Sequence, residues 1–295
     1  MHLYEALNRS VNEWRERGYP HDDYDTLAEI LSWASNPDGE GFHLRPPQLR
    51  ALETYWYLRL VRDTPHIFEL YQEVFPAEDD PDALLQALGI PSAAFQKSKY
   101  DFTTLWASIR NDDDFVREFK LEALRETLTL DYPSYILALA MGAGKTILIG
   151  AIFATEFAMA FEYPDGPFVQ NALVFAPGKT IIESLRQLAE TRFDRILPPR
   201  FFKQFAASVK LTFTRDGERD IPVTRKSLFN VIVTNTEKFG FKKKLFAKPI
   251  WVACSRVNAK MKPSRRSPIC VCRQLPACLI SQSFRMKLIT LTANR

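Results

Sequence analysis

A chain of 295 residues, 46% of them hydrophobic, is long enough for one large domain or two ordinary ones and apolar enough for a sizeable core, which excludes a wholly disordered protein. The opening "MHLYEALNRSVNEWRERGYP" is amphipathic and mixed in charge, unlike a secretory leader, and the longest apolar run, Ile147 to Phe161, carries Glu156 and is too short for a membrane span, so a soluble cytoplasmic protein with no membrane partner is expected. The net charge of +4 hides two unlike parts: all 35 Asp and Glu precede residue 239, while 13 of the 39 Lys and Arg follow it, so the parts carry −9 and +13.

Residues 1–128 read as a mainly helical region. Apolar residues recur at helical spacing in 3–17, 46–63, 65–75 and 114–128, with breaks at Pro20, Pro37, Pro46–Pro47, Pro76, Pro81 and Pro91. The pattern then changes, and 129–238 reads as a partial α/β domain. "SYILALA" (134–140) predicts a buried strand entering a glycine loop, and "KTILIGAIFATEFAMAF" (145–161) a largely buried helix. "NALVFAP" (171–177) predicts the next strand and "KTIIESLRQLAE" (179–190) the next helix. "SVKLTFT" and "DIPVTR" flank Arg215-Asp216-Gly217-Glu218 as a hairpin would, and "NVIVTN" (230–235) predicts a further strand. Strand–loop–helix repeated twice predicts parallel pairing with right-handed crossovers. Residues 239–295 sustain neither period and read as a disordered or non-native basic tail.

Gly142-Ala143-Gly144-Lys145-Thr146 stands between the expected strand and helix. Small residues there let backbone N–H groups converge on phosphates at a helix N-terminus. Lys145 would reach the β and γ phosphates of ATP, and the Thr146 hydroxyl would ligate Mg²⁺. Leu139 occupies the place of the general motif's first glycine. The plain alternative is a glycine turn followed by an exposed lysine. Downstream, Ala176-Pro177-Gly178-Lys179-Thr180 imitates the loop but lacks the second glycine. A strand ending in Ala-Pro before a helix instead offers N–H groups to a nucleic-acid phosphate.

With "LALAMGAGKT", "NALVFAPGKTIIESL" and "NVIVTNTEK" in this order, the chain resembles the superfamily of DNA and RNA translocases with RecA-like motor domains. The likeness is greatest to the DEAD/DEAH-type ATPase (Res) subunits of type III restriction enzymes, whose N-terminal region is helicase- and UvrB-like. It covers roughly residues 40–238 and implies an incomplete RecA-like P-loop sheet. It implies DNA-backbone contacts by Pro177, Gly178 and Lys179 in the second segment and by Thr234 and Asn235 in the third. "LRPPQLRALETYW" (44–56) resembles the family's adenine-sensing segment, which carries over to Gln48 and, with less support, Arg45. The bland reading of the same stretch is an amphipathic helix with a polar Gln. The family acts on DNA, in some members beside a modification methyltransferase subunit.

The family also needs an Asp-Glu-x-His segment: the Asp holds Mg²⁺ through water and the Glu polarises the attacking water. No Asp or Glu follows Glu237. A single base lost after Lys238 accounts for this. Each true codon would then join the last base of one tail codon to the first two of the next. At "RMKLITLTA" (285–293) Met286 ends in G and Lys287 begins AA, so the hidden codon is glutamate; permissible third bases around it spell Asp-Glu-Ala-His. The tail also holds all four cysteines, Cys254, Cys270, Cys272 and Cys278, at poor zinc spacing and with no histidine nearby. A frameshifted translation of 239–295 is therefore expected, leaving an ATP- and DNA-binding fragment that does not hydrolyse ATP. The competing reading is a non-catalytic nucleic-acid-binding protein with a cationic tail. A small P-loop kinase is disfavoured, because strand 171–177 ends in Ala-Pro and not in a substrate-binding acid.

Overall fold

The computed structural model describes residues 2–36, 44–130, 133–140, 142–176, 185–213 and 229–235. Among them the chain is mostly helical, with one small parallel sheet. Among the described residues nine α-helices come first, with a π-helical stretch (Tyr57–Val61) directly after the third: α1 (Leu3–Glu16), α2 (Thr26–Ser35), α3 (Pro46–Trp56), α4 (Ile67–Val74), α5 (Pro81–Leu88), α6 (Ser92–Lys97), α7 (Phe102–Asn111), α8 (Asp113–Phe119) and α9 (Glu122–Leu128). Then follow α10 (Lys145–Glu162), β1 (Asn171–Ala176), a 3₁₀ turn (Arg186–Glu190), α11 (Phe193–Ile196), α12 (Pro199–Ser208), β2 (Val209–Phe213) and β3 (Phe229–Asn235).

Local chemistry sets many of the helix ends. Asp80 accepts the Ala83 N–H ahead of Pro81, and Gly89, at φ +70°, ends α5 in the left-handed conformation. Asp101 and Asp112 cap α7 and α8 in the same way, accepting the N–H groups of Thr104 and Phe115. The single helix expected over 114–128 is divided, because Lys120 adopts φ +57° between α8 and α9.

The sheet has the order β1-β3-β2 with both pairings parallel, as the repeated strand–loop–helix pattern predicts. Asn171 and Asn230 sit opposite each other in register, and the Asn230 amide donates to Asn171 Oδ1 at 3.0 Å, which pins the β1–β3 alignment at its start. The expected hairpin after β2 falls on 214–228, outside the described residues; the pairing β2 makes is parallel, with β3. Likewise the helix expected over 179–190 is described only from Leu185 on, chiefly as the 3₁₀ turn.

"SYILALA" is a correction. Residues 133–140 form no helix and belong to no ladder among the described residues. Burial alternates as in a one-sided strand, with Tyr135 buried, Leu137 and Leu139 half-buried on the core, and Ile136 52% exposed. The apolar alternation is that of a strand, but a ladder also needs a neighbouring backbone.

Helix α10 is the centre of the molecule. Ala151, Ala154, Phe157, Ala158 and Met159 are fully buried, so it is apolar on nearly every side, as a helix surrounded by protein must be. It packs against α3, α11 and α12, and its phenylalanines join a ring cluster: Phe153–Phe193 at 5.5 Å, Phe193–Phe205 at 4.9 Å and Phe161–Phe229 at 4.2 Å between centroids. The same core takes in Trp14, Leu27, Ile30, Leu31, Leu52 and Trp56, so α1–α3 are packed with the sheet and not apart from it. Helices α4–α9 build two further clusters, one around Leu105, Ile109 and Phe115, the other around Leu58, Leu70 and Leu84.

Candidate functional site

Gly142 and Gly144, at φ +75° and +78°, turn the chain into α10. Both values lie where side chains are disfavoured, which is the local reason for glycine at each. Gly144 is the N-cap of an 18-residue helix with no acidic residue in its first turn, so the helix's unsatisfied N–H groups and positive dipole end face the loop. Ala143 N–H donates to the Ala140 carbonyl at 3.2 Å, closing the turn. Lys145 Nζ donates to the same carbonyl at 3.0 Å, which holds the ammonium at the foot of the loop. Thr146 follows, half-buried, in the first helical turn.

Gln48 lies against this loop. It occupies the first turn of α3, is 1% exposed, and its Nε2 donates to the Gly144 carbonyl at 3.2 Å. Its Oε1 accepts the Arg45 N–H at 2.8 Å, which fixes the amide's orientation and starts the helix. Each amide atom keeps hydrogen-bonding capacity beyond these two bonds. The approach is close enough that a Cβ built on Gly144 would stand 2.1 Å from Gln48 Nε2. The structure thus brings together Gln48 and the loop, 96 residues apart in the chain. Arg45 is exposed at the N-cap.

The segments expected to touch DNA are only partly described. Pro177, Gly178 and Lys179 lie outside the described residues. Thr234 and Asn235 close β3 in register with Phe175 and Ala176 of β1. β1 and β3 therefore end side by side at the C-terminal edge of the parallel sheet, the end at which open parallel sheets bind ligands.

Sequence reasoning passed over a buried polar cluster farther along the same helix. Glu156, in the middle of α10, accepts the Tyr55 hydroxyl at 2.5 Å and Arg59 Nε at 3.2 Å on Oε1, and the Val169 N–H at 3.0 Å on Oε2. Burial, then the Glu156 charge, pushes the Tyr55 hydroxyl well above the usual tyrosine range. Burial opposes the Arg59 charge, but Glu156 and Tyr55 more than offset it, so the guanidinium is held above its ordinary value. Glu53, fully buried on α3, accepts Arg15 Nε and the Tyr19 hydroxyl, each at 2.7 Å. The signal in the sequence was a charged residue inside the apolar run 147–161, since a buried carboxylate needs partners.

A cavity of about 950 Å³ opens between α1, α3, α4 and residues 134–140. Leu3, Leu58, Leu88 and Ile136 line it together with His2 and Arg50, so its wall is mainly apolar with a few polar groups.

The donor set fits the phosphate end of a nucleotide: loop N–H groups, the Lys145 ammonium and the Thr146 hydroxyl. For the metal it offers only that hydroxyl, because among the described residues no group of three His, Cys, Asp or Glu converges. Among the described residues no helix is long and apolar enough to cross a membrane. Comparison with protein-family profiles, with curated proteins and with solved structures gave no match.

Proposed function

We propose that this chain is an ATP- and DNA-binding fragment of an ATP-dependent DNA translocase or helicase of the type III restriction kind, without hydrolysis of its own. The contact of Gln48 with Gly144 carries the reading. A plain glycine turn has no reason to hold a buried amide with spare hydrogen-bonding capacity against its backbone, whereas an adenine nucleotide would use the loop for its phosphates and the amide for its base.

Each residue then has a defined task. The N–H groups at the start of α10 bind phosphate oxygens, and Lys145 exchanges the Ala140 carbonyl for the outer phosphates. Gln48 holds the adenine edge. Thr146 would hold Mg²⁺, which neutralises phosphate charge when bound. Among the described residues no group of three His, Cys, Asp or Glu converges, and in this reading the chain binds ATP without hydrolysing it.

Under the frameshift reading of 239–295 the sheet would gain a further strand. Leu137 and Leu139 rest on the same core as Ala172 and Val174 of β1, and among the described residues β1 pairs with β3. A further parallel strand ending in the hidden Asp-Glu-Ala-His would give the site its carboxylates.

Titration with a fluorescent ATP analogue tests the binding claim. Saturable binding abolished by Lys145→Ala supports it; no binding, or binding untouched by Lys145→Ala, overturns it. Sequencing the coding DNA across codons 236–242 and assaying DNA-stimulated ATPase in the restored frame test the rest. An intact frame, or a restored protein that DNA does not stimulate, removes the motor assignment. The cationic-tail alternative predicts salt-sensitive DNA binding that disappears when 239–295 is deleted.

A further inference from the structure

Helix α3 is fastened to α10 at two places. Its first turn meets the loop through Gln48 and the Gly144 carbonyl, and its end meets the middle of α10 through Tyr55, Trp56 and Arg59. The sequence offsets of these four hydrogen bonds are 96, 101, 99 and 97. Offsets so nearly constant mean that the two helices lie side by side and run in the same direction. At the far place, Glu156 takes donors from Tyr55, Arg59 and Val169, Trp56 Nε1 donates to Thr155 Oγ1 at 3.0 Å, and Arg59 donates to the Pro167 carbonyl as well. The Glu156 and Arg59 side chains are 2% and 3% exposed.

Glu156 stands about 18 Å along the helix from Gly144 at the usual α-helical rise, too far to touch a phosphate in the loop. Its role there must be indirect. Apolar contacts alone let a helix slide or turn by a fraction of a residue at small cost. Directional bonds to one buried carboxylate do not, because an unmatched charge there is expensive. The short π-helical stretch Tyr57–Val61, a deviation frequent near functional sites, carries Arg59 to that carboxylate.

We infer that Glu156, with Tyr55 and Arg59, forms a positioning set that holds α3 in register with α10, so that Gln48 stands at the loop and distinguishes an adenine nucleotide from a bare phosphate chain. This rests on the nucleotide reading above.

The test is calorimetric binding of ATP and of inorganic tripolyphosphate to the 295-residue chain and to Glu156→Gln, Tyr55→Phe and Gln48→Ala. The wild type should prefer ATP. Glu156→Gln and Tyr55→Phe should each weaken ATP about tenfold while leaving tripolyphosphate within about twofold, as Gln48→Ala does. Tyr55→Phe removes one hydroxyl and keeps the ring, so it carries the test if Glu156→Gln does not fold. Equal weakening of both ligands would mark a purely structural cluster and overturn the inference. So would a retained ATP preference in Tyr55→Phe and Glu156→Gln when Gln48→Ala has lost it. A wild type that binds both ligands equally overturns the inference while the phosphate loop stands; one that binds neither removes the nucleotide reading itself.

Discussion

An added Cβ at position 144 would stand 2.1 Å from Gln48 Nε2 and 3.3 Å from its Cδ, whereas one at position 142 would meet nothing within 4 Å. The two glycines have nearly the same φ, +78° and +75°, so Gly144→Ala and Gly142→Ala carry the same left-handed strain, about 1 kcal/mol each. Only Gly144→Ala must push Gln48 aside. That movement breaks the amide's bond to the Gly144 carbonyl and leaves buried polar atoms short of partners, a further cost of about 1–3 kcal/mol. Gly144→Ala is therefore expected to lose about 2–4 kcal/mol against about 1 for Gly142→Ala. Urea titration followed by far-UV circular dichroism measures both, with an unchanged slope showing that the unfolded state is the same. In a Gln48→Ala background the cost of Gly144→Ala should fall to that of Gly142→Ala. Equal costs in the wild-type background, or a coupling energy under about 0.5 kcal/mol, would refute the close approach of Gln48 to the loop.

Glu156→Ala leaves the Arg59 guanidinium buried without its carboxylate and should cost about 3–5 kcal/mol. Glu29→Ala is the control: its partner Arg200 is half exposed and keeps Glu162, so the loss should stay under about 1 kcal/mol. Similar losses for the two in urea titrations would contradict the buried cluster. Stability should also fall on both sides of neutrality. Glu73 is held below its ordinary 4.5 by hydrogen bonds from Arg62, and Asp113 and Asp194 below 3.8 by Arg125 and Arg192. The unfolded chain takes up those protons first on acidification, so this stabilisation is whole above the ordinary carboxylate values and is lost as pH falls through the lowered ones. Tyr55 is raised above its ordinary 10.0, so its contribution is whole below that value and is lost as pH climbs beyond it. Thermal midpoints measured from about pH 3 to 11 check both limbs, and a midpoint that rises on acidification below about pH 4 would contradict the first.

The legible parts of this chain are those whose cause is local. Glycines at 142 and 144, followed by an unbroken apolar run, announce a turn into a buried helix, and α10 starts at the expected Lys145. β-branched and apolar runs mark β1 and β3 to within a residue, and their parallel pairing follows from the helical segments between them. Where pattern alone failed, the missing cause was a neighbour. Residues 134–140 have the alternation of a strand and lack a ladder among the described residues, and 199–208 form α12 although no helix is expected there, because its Phe201 and Phe205 gain their meaning only against the ring cluster.

The sequence by itself determined that a glycine turn opens a buried helix, that parallel strands follow, and that charge is divided sharply at residue 238. These depend on backbone permissiveness, periodicity and counting, which act over a few residues or need no fold at all. Tertiary structure alone decided where Gln48 and Glu156 stand and what they touch. An amphipathic helix with a polar Gln serves a solvent face as well as a site, and an acid in an apolar run names no partner. The parallel packing of α3 on α10 supplies both answers, because it places the Gln48 amide on the Gly144 carbonyl and the Glu156 carboxylate between Tyr55, Arg59 and Val169.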